Sequence, residues 1–379
     1  MKLLYYLPLS YGGIARYAHE QANALVGLGT EVYLLTTASY PIGPESNYKV
    51  LPYLQDLWSS QRSSNKITRG IQYIRVTLFN IQQLTQTIQK HPFQSILLGS
   101  YSEYLAPLWS GSLTRLAKEG KTFGAIVHDP VRDFVVGPYW WHRWSIACGY
   151  SFLREAFVHE VIALETVRPM PQLRTTVIPH GPYPFPSVPM SREELRRRFS
   201  LPVEAKVLLA FGHIRDNKNL DLVIQAIVNI PDIYLLVAGK EQSSQQKPAW
   251  YYQQLAEKCG VGDRIRWHLD FIPDIDVASF FTATDLVLLT YSESFRSASG
   301  VLNTAAVFRK PCLASSGESN LKSVVEQYKL GFWVQPDSVN AIQQGLQTWL
   351  RGSLEPCWDG YLMDYSWKTN AERVLKSML

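Results

Sequence analysis

The residues best suited to do chemistry are a pair of cations and a hydroxyl-rich loop. In GHIRDNKN (212–219), Arg215 and Lys218 stand three apart directly after the apolar run KVLLAFG. Two cations held at a helix start, where free N–H groups carry partial positive charge, make a site for a diphosphate. In SESFRSASG (292–300), another apolar run is followed by one carboxylate, Glu293, and by Ser299-Gly300 at the start of a helical pattern. Glycine there lets a phosphate approach the backbone closely, and the helix terminus again favours an anion. A third turn, YGGIAR (11–16), sets Gly12 and Gly13 before a helix. Its spacing is neither GxGxxG nor GxxxxGK[ST], so neither a dinucleotide fingerprint nor a P-loop is present. Each stretch also has a plain structural explanation: a solvated basic loop, an N-cap serine, a tight turn.

His128 and Asp129 in GAIVHDP follow a further apolar run. An imidazole there can bond a reacting oxygen, with Asp129 to orient it; the bland alternative is a capped turn before Pro130. Asp274 and Asp276 spell a DxD pair, yet they open an amphipathic stretch, where aspartates cap a helix. HEVIALE (159–165) lacks the second histidine of HExxH. No metal site is expected. The four cysteines are scattered singly, which fits a reduced cytosolic compartment. LLYYLPL at the N-terminus is too short for a membrane span and reads as a strand.

These residues need a frame. A chain of 379 residues exceeds the size at which one core stops growing, so two domains are expected. Hydrophobic residues at 46% and charged residues at 18% describe a packed globular protein. The first half opens with strand, helix and strand: Leu3 to Leu7, an apolar helical face from Ile14 to Leu28, then EVYLLTT. The second half repeats that grammar with KVLLAFG, IYLLVAG, RIRWHL, LVLLT, PCLAS and GFWV, alternating with helical patterns that begin near Asn219, Ala249, Ile275, Ser299, Leu321 and Val339. The fold class is therefore α/β: two Rossmann-like, doubly wound domains, the second with six strands. Ligands of such sheets bind off the carboxyl ends of the strands. Pro179, Pro182, Pro184, Pro186 and Pro189 crowd one segment and place the boundary there, giving domains 1–185 and 186–360.

The net charge of +5 resides wholly in the first half, where residues 1–185 hold 16 Lys+Arg against 11 Asp+Glu. Within it, 57–102 carries Arg62, Lys66, Arg69, Arg75 and Lys90 and no acid, interleaved with Ile67, Ile71, Ile74, Val76, Leu78, Phe79 and Ile81. A basic amphipathic helix suits an anionic membrane surface or an anionic acceptor. Trp140, Trp141 and Trp144, with Tyr139 and Phe134, add an aromatic cluster fit for an interface or for stacking on sugar. Core packing accounts for both features equally well.

The order of these motifs resembles the family-4 (group 1) glycosyltransferases of the GT-B fold. The resemblance runs through GGIARYAHEQANAL, VIPHGPYPF, FGHIRDNKNLDLVIQA, FIPDIDVASFFTATDLVLLTYSES, SGVLNTAAVFRKPCLAS and YSWKTNAERVL. It implies transfer of a hexose from a UDP- or GDP-linked donor, with retention, without metal and without a cofactor. The acceptor would be a sugar or a lipid-linked glycan precursor. The domains would face each other across a cleft, with residues 361–379 forming a helix that crosses back to the first. Carried over by residue, Arg215 and Lys218 would neutralise the donor diphosphate. Ser299 and Gly300 would offer it N–H groups, and Gly12 and Gly13 would close over it. Glu293 would hold sugar hydroxyls, and His128 and Asp129 would face the reaction centre, with Arg16 and His128 toward the acceptor.

The chain departs from the family at one position. Where a second glutamate is usual, Thr304 stands beside Asn303, leaving neutral hydrogen bonds to read the sugar or ribose. His180 occupies a place often given to Asn and reads as structural. The missing glutamate motivates a rival: a non-catalytic GT-B protein that binds a sugar nucleotide or glycan. The inferred location is cytoplasmic, with possible contact at the inner face of a membrane through 57–102; nucleic acid is not an expected partner.

Overall fold

The computed structural model describes residues 1–379 except 58–65, 129, 131–134, 136, 186–189, 242–245 and 297–298. The described residues form two compact units, Met1–Pro179 with Ser366–Leu379, and His180–Tyr365.

In the first unit, β1 (Lys2–Tyr6), α1 (Gly13–Gly27), β2 (Glu31–Thr37), β3 (Lys49–Leu54), α2 (Lys66–Lys90), β4 (Ser95–Leu98), α3 (Ala106–Lys118), β5 (Thr122–Ile126), α4 (Tyr139–Tyr150), β6 (Glu155–Val158) and β7 (Arg174–Val177) follow in order. The seven strands pair in parallel as β3-β2-β1-β4-β5-β6-β7. Alternation along β1 splits the core. Leu3 and Tyr5 join the face covered by α1, while Leu4 and Tyr6 join the face covered by α2 and α3.

The second unit runs α5 (Arg192–Arg198), β8 (Lys206–Phe211), α6 (Leu220–Ala226), β9 (Ile233–Ala238), α7 (Ala249–Lys258), β10 (Ile265–His268), α8 (Asp274–Ala283), β11 (Leu286–Thr290), α9 (Gly300–Val307), β12 (Cys312–Ser315), α10 (Leu321–Gln327), β13 (Gly331–Trp333), α11 (Val339–Arg351) and α12 (Trp358–Asp364). Its six strands are the six apolar runs expected from the sequence, all parallel, in the order β10-β9-β8-β11-β12-β13. Runs so apolar fit a sheet covered on both faces. The order reverses between β8 and β11, and a crevice opens at the carboxyl ends of strands where such a reversal occurs.

The boundary falls between Pro179 and His180 instead of at 185/186. Residues 180–185 pack with the second unit because Asn303 donates to the His180 carbonyl at 3.1 Å and Phe185 rests on Phe308. At the other end the second unit holds the chain as far as Tyr365, since Tyr361 is buried in its core. The return begins at Ser366, whose hydroxyl accepts from Thr369 N at 3.0 Å and caps α13 (Trp367–Met378).

Helix α13 docks on α1 through a buried polar network. Tyr5 donates to Gln21 Oε1 at 2.7 Å, and Gln21 Nε2 donates to Asn370 Oδ1 at 2.6 Å. Asn370 Nδ2 in turn donates to Tyr17 Oη at 2.8 Å and to the Pro179 carbonyl at 2.7 Å. Gln21 and Asn370 are fully buried, so deleting one partner leaves the others unpaired out of water's reach. Asn370→Leu is expected to cost about 2–4 kcal/mol and to lower Tm by roughly 5–15 °C. A melting temperature within 2 °C of wild type (about 0.5–1 kcal/mol) would contradict this account.

Candidate active site

The loops after β8 and β11 meet at the β8/β11 reversal. After β8 the chain makes a single 3₁₀ turn over Asp216–Lys218, and Asn219 in the left-handed region (φ 53°) starts α6. Arg215 is half-buried, and its Nε finds no hydrogen-bond partner among the described residues. A buried guanidinium N–H left unpaired is costly and marks where an anion would bind. Lys218 donates from Nζ to the Phe211 carbonyl at 2.6 Å, and burial, with the nearby charge of Arg215, pulls its pKa from 10.5 to about 7. His213 is likewise pushed below its ordinary value, by burial first and then by Arg215, Lys218 and Lys240. The field these cations set up at His213 and Lys218 is positive.

Glycine permits this close approach. Gly212 has φ +83°, and a Cβ at Gly239 would lie 2.2 Å from the Gly212 carbonyl oxygen, so the β8 and β9 exits pass at backbone contact beneath the lysine. A cavity of about 450 Å³ opens beside them, lined by Arg215, Asp216, Asn217, Gln246, Ser292 and Ser294.

The loop after β11 is tied to the first. Ser292 N donates to the Asn217 carbonyl at 2.9 Å, and Thr290 Oγ1 donates to the Lys218 carbonyl at 3.0 Å. Glu293 is exposed, its backbone N–H held by Asp337 at 2.9 Å. Ser299 caps α9, and its hydroxyl is also bonded to Tyr291 Oη at 2.8 Å. Gly300 is exposed, and among the described residues nothing outside its own helix and chain neighbours comes within 4 Å of where a Cβ would sit, leaving room for a ligand against the helix start.

Asn303 and Thr304 lie one turn on, and Asn303 turns away into the unit. Asn303 is buried, its amide donating to the His180 carbonyl and accepting from Tyr361 Oη. Thr304 Oγ1 donates back to the Gly300 carbonyl at 3.2 Å. The structure thus brings Arg215, Lys218, Glu293, Ser299 and Gly300 to one sheet edge, with Asn303 spent on fixing the start of the second unit. His180, its pKa lowered by burial, is part of that fixture.

In the first unit, Gly12 (φ +90°) and Gly13 form the turn from β1 into α1, and Arg16 N closes it on the Gly12 carbonyl at 3.1 Å. His128, after β5, packs edge-on to Tyr17 at 4.9 Å and lies 5.5 Å from His159. Tyr17 also meets Trp367 at 4.9 Å, so His128 belongs to an aromatic cluster anchored on α13. Asp129 and Phe134 lie outside the described residues. Asp274 and Asp276 occupy the first turn of α8. Among the described residues no group of three or more His, Cys, Asp or Glu side chains is placed to hold a metal ion.

Residues 191–359, nearly the whole second unit, match the family described as glycosyl transferases group 1. Through this unit the chain is similar to the group 1 glycosyl transferases. The D-inositol 3-phosphate glycosyltransferase of Xylanimonas cellulosilytica is 31% identical over 116 residues, which are 30% of this chain and 27% of that protein. The chain thus matches only about a quarter of that relative's length. A glycosyltransferase from Rickettsia africae ESF-5 superposes with a TM-score of 0.66 at 15% identity, over 99% of this chain and 97% of that one. Anabaena HepE, solved in complex with UDP and glucose, superposes at 0.61 and 15% identity, over 100% and 95%. Likeness at this level gives the fold, which is GT-B.

The group 1 unit also uses residues that the sequence did not single out. Asp216, Asn217, Gln246, Ser292 and Ser294 line its cavity, and Asp216 Oδ1 accepts from Tyr252 and from Lys247 N. Four of these were within reach, since Asp216 and Asn217 lie between the two cations and Ser292 and Ser294 flank Glu293. Gln246 joins through a bond to Asp216 N at 2.7 Å across 30 residues, which no local pattern announces.

Proposed function

We propose that this protein transfers a hexosyl group from a UDP- or GDP-linked donor to a sugar or lipid-linked glycan, with retention and without metal. The observation that carries the reading is the convergence of the unpaired Arg215, the desolvated Lys218, Glu293 and the open Gly300 helix start on one sheet edge. The anomeric carbon–oxygen bond breaks toward the diphosphate, whose growing charge Arg215, Lys218 and the α9 terminus stabilise. The acceptor oxygen attacks on the face the diphosphate leaves. Glu293 holds hydroxyls of the donor sugar, Arg16 and His128 serve the acceptor, which belongs to the first unit, and Asp129 has the orienting role.

The test is thermal shift with UDP, GDP, UDP-glucose and GDP-mannose in excess EDTA, followed by nucleotide release. A ligand at 100 times its dissociation constant stabilises by ~2.7 kcal/mol. Stabilisation by one nucleotide family that survives EDTA supports the reading; a strict need for Mn²⁺ or Mg²⁺ overturns its metal-independent part. The rival is a non-catalytic sugar-nucleotide binder, favoured by the missing second glutamate and by the diversion of Asn303 to His180 and Tyr361. Binding without nucleotide release would select it.

The reading extends to an anionic membrane surface as the place where acceptor is met. On α2, Ile67, Ile71, Ile74 and Leu78 recur at helical spacing and are all exposed, Ile67 by 73%, with exposed Arg69 and Arg75 beside them. Exposed Tyr139, Trp140 and Trp144 on α4 add aromatic rings of interfacial type. Among the described residues no helix is long and apolar enough to cross a membrane. Sedimentation with phosphatidylglycerol vesicles at low salt, reversed at high salt, is expected. Equal partitioning onto neutral vesicles would point instead to an acceptor free in solution.

A further inference from the structure

We propose that Asp337 is a positioning residue of the donor site, a strap that fixes the sugar-reading loop relative to the diphosphate clamp. This rests on the reading of the β8/β11 edge as that site. Asp337 lies between β13 and α11, 44 residues from Glu293 and 118 from Asn219. One carboxylate oxygen accepts from Asn219 Nδ2 at 2.8 Å, and the other accepts from Glu293 N at 2.9 Å.

Asn219 directly follows Lys218, and Glu293 carries the carboxylate assigned to the sugar. A single side chain therefore spans the two halves of the site. Asn219 (φ 53°) and Asp337 (φ 55°) both hold the left-handed conformation, which non-glycine residues adopt at a cost where the surroundings require it. The loops they tether have few alternatives. Ser292 N is bonded to Asn217 O, and a Cβ at Gly317 would lie 1.9 Å from the Glu293 carbonyl oxygen, so the Glu293 backbone is also pressed from its other side. The two donors meet different oxygens of the carboxylate. The carboxamide of Asn would turn its NH₂ toward one of them, losing that bond.

The consequence is a split between ligands. A bare nucleoside diphosphate needs Arg215, Lys218 and the α9 terminus, whereas a sugar nucleotide also needs Glu293 in register with them. The test uses the full chain and Asp337→Asn, Asp337→Ala and Glu293→Ala. Hydrogen exchange in peptides covering 291–296 should be at least tenfold faster at Glu293 in Asp337→Ala, with β8 and β11 unchanged; unchanged protection there overturns the strap. Calorimetry is then run with UDP and UDP-glucose, and with GDP and GDP-mannose, keeping the pair that wild type binds. Asp337→Ala should hold the nucleoside diphosphate within threefold of wild type and lose at least tenfold in turnover of the sugar nucleotide, with Asp337→Asn intermediate. Combined with Glu293→Ala it should add little, because both changes act on one contact. Wild-type turnover in Asp337→Ala, or full additivity with Glu293→Ala, overturns the proposal. Binding of neither pair by wild type overturns the donor-site reading itself.

Discussion

A nucleoside diphosphate is expected to bind this chain roughly 20–50-fold more weakly at pH 9 than at pH 7, and Lys218→Met is expected to erase most of that dependence. In the unliganded protein Lys218 titrates near 7, held down by burial and then by Arg215. Only its ammonium form pairs with phosphate oxygens, so above pH 7 binding must take up a proton, at a cost that rises toward roughly tenfold in affinity per pH unit. Below pH 7 the ammonium is already formed and the dependence flattens. Stability follows the opposite course. The folded pKa lies below that of the unfolded chain, so between about 7 and 10.5 the unfolded chain binds more protons and folded stability rises with pH, while below 7 the cost of burying the charge persists in full. At pH 7 the Met variant should bind roughly 30–150-fold more weakly, the worth of a charged hydrogen bond of about 2–3 kcal/mol. Calorimetric titration of UDP and GDP from pH 7 to 9 decides it; a flat profile in wild type would remove Lys218 from the diphosphate site.

Glu293→Ala should lower kcat/KM for the sugar nucleotide by roughly 30–150-fold, about 2–3 kcal/mol, while the affinity for the bare nucleoside diphosphate stays within about twofold. The carboxylate is exposed at the mouth of β11, and the backbone that carries it is fixed by Asp337 and by the loop's bond to Asn217, so truncation removes the side chain without moving the loop. Were Glu293 merely a surface residue, its loss would leave turnover at the wild-type level. That outcome would strip the site of a sugar reader, since Asn303 already serves His180 and Tyr361 and Thr304 bonds its own helix.

Local sequence decided the frame and half of the site. The six strands of the second unit are legible because a strand buried on both faces must be a short apolar run, and LVLLT or KVLLAF admits no other pairing with the helical patterns around it. Arg215, Lys218, Glu293 and Gly300 were legible because each lies within a few residues of such a strand, and an α/β sheet sends those loops to its carboxyl edge. Contacts between residues far apart in the chain decided the rest. Asn303 is engaged by a carbonyl 123 residues before it and a tyrosine 58 residues after it. The domain boundary moved to Pro179 because that same bond holds His180 in the second unit. Asp337, in the turn before α11, looks like ordinary helix punctuation until folding brings it to Asn219 and Glu293. The acidity of Lys218 belongs to this class as well. Sequence supplies a lysine, but its pKa is set by how much water the folded chain removes from around it and by the guanidinium it is packed beside.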